Sequence, residues 1–200
     1  MIARRKIKFA CVAVALATAS PAHAHLMNTG FGPFYDGLSH LFVTPEDLLP
    51  VIALALLGGQ LGPRFGRAVL FTLPLSWIVG SFAGGLMPPA LTFSVATAVV
   101  TIGLGVLVAI NKPLPMPLVV GLAALLGLLH GSLNGTELSS QHSIGLVTAG
   151  VATALFVLVA LLAAQVTVIR ATWMRVAVQV GGSWIAAAGL LMLGWAVRAH

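Results

Sequence analysis

Two short segments hold most of the side chains able to bind a cation. The first runs from Gly37 to Leu49 as Gly-Leu-Ser-His-Leu-Phe-Val-Thr-Pro-Glu-Asp-Leu-Leu, and offers the imidazole of His40 and the carboxylates of Glu46 and Asp47. Imidazole with carboxylate suits borderline divalent ions such as nickel, cobalt or zinc. The carboxylates also have a local reading. Thr44 is a good N-cap, Pro45 fits the first helical position, and Glu46 and Asp47 favour the positive end of a helix dipole, Asp47 standing where a capping-box partner would. Capping does not account for His40.

The second segment is Leu128-Leu129-His130-Gly131-Ser132-Leu133-Asn134-Gly135-Thr136-Glu137. His130 and Asn134 are four apart and share a face if a helix continues through Gly131 and Gly135. A histidine inside a membrane span is a functional hypothesis by default, the alternative being a hydrogen-bonded interfacial ring. Two further imidazoles stand outside these segments. His25 would carry a free amine beside its ring after cleavage of a leader, and together they could chelate one divalent ion. His142, with Glu137, belongs either to an outer vestibule or to a solvated loop.

Other chemistries lack their residues. No Walker or dinucleotide glycine pattern precedes a helix, there is no H-E-x-x-H, and Ser76 and Trp77 have no obvious base nearby. Cys11 is the one cysteine and falls in the leader, so the mature chain would have no thiolate for a disulfide, a nucleophile or a metal. No organic cofactor is expected.

These ligands must be positioned by elements that lipid, not water, surrounds. The chain of 200 residues is 59% hydrophobic and 7% charged, against roughly 25% charged in soluble domains. So few charges could not cover a water-soluble fold. The net charge of +6 includes Arg4, Arg5, Lys6 and Lys8 before the first apolar run; subtracting those four leaves +2. No clustered basic face remains for nucleic acid.

Arg4-Arg5-Lys6, an apolar stretch from Phe9 to Ala19 and the A-x-A site Ala22-His23-Ala24 read as a signal peptide over 1–24, too short to span a bilayer. The rest, 25–200, reads as one all-α domain of six transmembrane helices. Its apolar runs are Pro45–Leu61, Ala68–Met87, Pro89–Ile110, Met116–Leu133, Ile144–Ile169 and Val176–Val197. The first is short unless its helix begins before Pro45. A longer polar connection is expected from Gly131 to His142.

With the mature N-terminus in the periplasm, the inner loops carry Arg64, Arg67, Lys112, Arg170 and Arg175, and the outer segments only Arg198, in the sense of the positive-inside rule. Asp36, Glu46, Asp47, Glu137 and the histidines of the mature chain then gather at the outer face of a bacterial inner membrane. Gly80 and Gly84 have GxxxG spacing, repeated by Gly127 and Gly131, which lets helix backbones approach closely. No internal sequence repeat is visible.

On these motifs the chain resembles the HupE/UreJ family of nickel and cobalt permeases over nearly its whole length. That family's first motif is a histidine, five residues, then Asp-His. His40 matches the histidine and Glu46 falls at the acid, with Asp47 in place of the second histidine; with one residue inserted, Asp47 becomes the acid and Leu48 replaces the histidine. The second motif reads Phe-His-Gly-x-Ala-His-Glu. Leu129-His130-Gly131 keeps its centre, Asn134 replaces the second histidine, Gly135 replaces the glutamate, and Glu137 lies two residues late. The chain resembles a divergent member with fewer imidazoles and more oxygen ligands.

The resemblance implies a secondary permease for a divalent ion, nickel or cobalt as substrate, serving hydrogenase or urease assembly and so metalloenzyme maturation proteins. The alternative is a non-transporting accessory protein for metal delivery or metalloenzyme assembly; a membrane-embedded zinc enzyme ranks third and no enzyme activity is expected. The expected ligands are His40, Glu46, Asp47, His130, His25, Asn134 and Glu137.

Overall fold

The computed structural model describes residues 29–87, 94–138 and 143–198. The proposed signal peptide, His25 and His142 lie outside the described residues. Seven helices follow in order: α1 (Pro33–Val43), α2 (Pro45–Leu61), α3 (Pro63–Gly84), α4 (Ser94–Ile110), α5 (Met116–Leu138), α6 (Ile144–Val168) and α7 (Thr172–Arg198). The protein is all-α across the described residues.

Backbone chemistry sets the boundaries. Pro33, Pro45 and Pro63 each open a helix, where a missing N–H costs nothing and a fixed φ fits. Gly62 (φ 110) joins α2 to α3 in a left-handed conformation that other residues rarely adopt. Asn111, one of the few side chains that tolerate such a region, turns the chain after α4 with φ 46.

Helices α3, α5, α6 and α7 are long and apolar enough to cross a membrane. A fifth crossing is available if α1 and α2 count as one broken span, but the two bend by 76° at Thr44. α4 is apolar but has 17 residues, as α2 does. At 1.5 Å per residue, 17 residues cover ~26 Å, short of the ~30 Å hydrocarbon layer. Among the described residues, four or five of the expected six crossings therefore meet the length criterion. A helix does precede Pro45, but α1 meets α2 at a sharp bend instead of continuing it in line.

Elsewhere the helices run further than hydropathy suggests. α3 begins at Pro63, so Arg64 and Arg67 lie in its first turn or two, and α7 begins at Thr172. α5 passes through Gly131 and Gly135 to Leu138, so most of the expected polar connection is helical. Its glycines face another helix. An added Cβ at Gly127, Gly131 or Gly135 would strike Ser76, the Trp77 backbone or the Ser81 backbone of α3. Gly80 and Gly84 meet the Leu128 and Ser132 backbones in return. The two GxxxG pairs thus face each other, and the close backbone approach offsets the poor helix propensity of glycine.

α2 lies in the centre and touches every other helix, with Val51, Ala53, Leu54, Ala55 and Leu57 fully buried. α1 packs on α6 through Gly37 against Val147 and Gly150 against Phe34. α4 and α7 form a pair of their own through Gly105, Gly182 and Gly189, and meet the rest chiefly through α2. His40, Asp47 and His130 lie at one end of the bundle, called here the site end.

A glycine comparison tests this packing. Gly131→Val should cost about 1–3 kcal/mol or more by overpacking, whereas Gly103→Ala, which meets open space, should be neutral or stabilise by roughly 0.5–1 kcal/mol. Thermal unfolding in detergent measures both, and equal melting temperatures would disprove the close α3–α5 contact.

Candidate functional site

Asp47 is the hub. It stands in the first turn of α2, after Thr44 and Pro45, and is only 6% exposed. The capping reading fails for it: Thr44 makes no side-chain cap, and its Oγ1 is buried without a partner. The Asp47 carboxylate turns instead toward α1 and α5. Oδ1 accepts from His130 Nδ1 at 2.7 Å, and Oδ2 accepts from Asn134 Nδ2 at 2.9 Å. His40 Nε2 lies 3.4 Å from Oδ2, at ion-pair distance without hydrogen-bond geometry.

Three elements supply these groups. The last turn of α1 carries His40, and the bend at Thr44 brings it back over the start of α2. α5 carries His130 and Asn134, four apart and facing one way because the helix continues through Gly131. Asn134 Nδ2 also donates to the His130 carbonyl at 3.0 Å, tying the two together. His40, His130 and Asn134 are 4%, 1% and 6% exposed.

The histidines retain chemistry. With Nδ1–H of His130 donated to the carboxylate, a neutral ring keeps its lone pair on Nε2. That Nε2 is buried without a hydrogen-bond partner, as is His40 Nε2. A carboxylate that fixes one ring nitrogen while the other stays open is the arrangement that orients imidazoles toward metals. Trp77 stacks on the His130 ring with centroids 5.7 Å apart. Sequence reasoning gave Trp77 no role, yet Trp77, Gly80 and Gly84 follow the i, i+3, i+7 spacing of one helix face.

The other expected ligands separate. Glu46 is exposed and lines a different cavity with α4 and α7. Glu137 is exposed on α5, three residues beyond Asn134 and within electrostatic range of His40 and Asp47. No group of three or more His, Cys, Asp or Glu side chains among the described residues forms a ready metal cage. The Asp47 cluster has closed on itself through its own hydrogen bonds.

The chain matches the HupE / UreJ protein family over residues 12–192. It belongs to the HupE/UreJ family. It is also 28% identical over 142 residues to Protein HupE of Rhizobium leguminosarum bv. viciae, covering 68% of this chain and 71% of that protein. No solved structure matches it. Of the two ways to align the first family motif, the geometry favours the one with an inserted residue, since Asp47 and not Glu46 meets the histidines. In this HupE/UreJ chain the asparagine at the second motif's histidine position is a donor to that acid.

Removing that donor should be costly. Asn134→Leu leaves Asp47 Oδ2 short of its hydrogen bond, at about 1–3 kcal/mol, while Asn134→His keeps an N–H at the same place. Chemical or thermal unfolding of the two variants in detergent should rank Asn134→Leu well below Asn134→His.

Proposed function

We propose that the protein is a secondary permease importing a divalent transition-metal ion, nickel or cobalt. One observation carries the reading. Imidazoles from segments 90 residues apart converge on a single buried carboxylate, and neither Nε2 has a hydrogen-bond partner: that of His130 points away from the acid, and that of His40 stands 3.4 Å from it. Burying such groups without a partner is expensive, and a cation that prefers nitrogen and carboxylate ligands would satisfy them.

In this reading His40 and His130 supply nitrogen ligands, while Asp47 orients His130 and balances charge. Asn134 stabilises the carboxylate until the ion arrives. A cage closed by four protein ligands would hold its ion as a structural metal; a cluster that exchanges internal hydrogen bonds for metal bonds can also release it. The site end faces outward, because Arg64, Arg67, Lys112, Arg170 and Arg175 gather at the opposite end. Between the site end and Gln60, α2 offers apolar side chains, Val51, Leu54 and Leu57 fully buried among them. Transfer therefore requires the helices to rearrange around the site, as in broken-helix transporters. No nucleotide motif is present, so a gradient or a partner drives the ion.

A second reading, an accessory protein that hands metal to an assembly partner, is favoured by Asn134 standing where the family places a histidine and by the lack of a ready cage among the described residues. Vesicles containing only this protein separate the two. Nickel or cobalt should accumulate inside under the permease reading, whereas binding without flux supports the accessory one. His40→Ala with His130→Ala should still insert in the membrane but lose roughly tenfold or more of the accumulation. Asn134→His should bind metal more tightly than the wild type. Unchanged uptake by the double variant removes the proposed site.

A further inference from the structure

A cavity of about 460 Å³ opens at the site end between α2, α4 and α7. Its polar lining is Glu46 with Ser94, Thr97 and Thr101, and its other wall is Met192 and Trp195 of α7. Among the described residues no lysine, arginine or histidine lines it. The hydroxyl protons are already committed: Thr97 donates to the Ser94 carbonyl at 3.0 Å and Thr101 to the Thr97 carbonyl at 2.9 Å. The threonine oxygens therefore present lone pairs, beside a carboxylate. Thr101 is 1% exposed, so the site reaches inward from the surface.

A pocket that offers oxygen acceptors and one carboxylate, without a basic group, selects cations. Its size argues for an ion that keeps its water. Six waters at ~30 Å³ each need roughly 180 Å³, which fits with room for exchange. Its place argues for a staging role. Successive residues of a helix point about 100° apart, so Glu46 and Asp47 serve different faces of the same turn. Asp47 faces α1 and α5, and Glu46 faces α4 and α7.

We propose that this cavity is an outer vestibule that takes a hydrated divalent cation on Glu46, Thr97 and Thr101, one residue along α2 from the Asp47–His130 centre. The inference rests on the permease reading for its purpose and on the cavity for its chemistry. The ion arrives with its water shell, is concentrated by the Glu46 carboxylate, and sheds water on passing to the imidazoles.

Two measurements separate this inference from the reading beneath it. In vesicles containing only the protein, Glu46→Gln and Thr97→Val/Thr101→Val should raise the half-saturating free Co²⁺ for uptake about 5–10-fold, with little change in maximal rate, and Glu46→Gln should flatten the dependence on ionic strength. Asp47→Asn should abolish uptake. Independently of flux, Mn²⁺ binding followed by electron paramagnetic resonance should show a weak hydrated site that persists in Asp47→Asn and is lost in Glu46→Gln. Loss of flux in every form, with that Mn²⁺ pattern intact, overturns the permease and keeps the vestibule. Wild-type half-saturation and Mn²⁺ binding in Glu46→Gln overturn the vestibule. So does an effect seen only with aminolipids in the vesicle, which assigns the cavity to a lipid ammonium group.

Discussion

A carboxylate buried inside a membrane bundle has to be satisfied by the protein itself, and Asp47 is that carboxylate. Isolated, such a charge costs several kcal/mol or more. The cost explains why three otherwise unrelated features occur together. α1 folds back so that His40 reaches the acid, α5 stays helical through two glycines so that His130 and Asn134 arrive on one face, and α3 lies close enough for Trp77 to cover the His130 ring. Each is costly on its own terms, as a 76° bend, a glycine-rich helix and a buried indole nitrogen without a partner.

The shortness of α2 gives the centre its place. A helix of 17 residues leaves its first turn inside the thickness of the bundle. Free N–H groups at a helix start favour negative charge, and non-helical backbone at such depth is tolerated only where it is enclosed by protein or lines a cavity. Thr44 provides that interruption, with φ −107 and ψ 92 between two helices. Pro50, buried one turn further along α2, has no N–H for the carbonyl of Glu46, which loosens the backbone of the same turn.

Much of this was legible in the residues. Hydropathy marked the positions of all six long helices, and residue type and spacing put His40, Asp47, His130 and Asn134 among seven candidate ligands without separating them from Glu46, Glu137 and His25. The paired GxxxG spacings located a close helix contact, although they could not say that the two motifs face each other. Three things were hidden. The bend at Thr44 leaves no mark in hydropathy, because both sides are apolar and proline-started. Glu46 and Asp47 are chemically alike, and only the helical rotation between them assigns one to the imidazoles and the other to α4 and α7. The continuation of α5 was hidden because glycine reads as a breaker locally, whereas here tertiary contact with α3 decides.

The glycine contact between α3 and α5 also limits how the protein can change shape. Where two backbones already touch, neither helix can slide or roll without a clash, so the wall bearing His130 and Trp77 behaves as a rigid plate. His40 stands on the far side of a one-residue joint. α1 is held to α6 in the same way, through Gly37 and Gly150, so any widening or narrowing between the two rings must carry α6 along with α1 about Thr44.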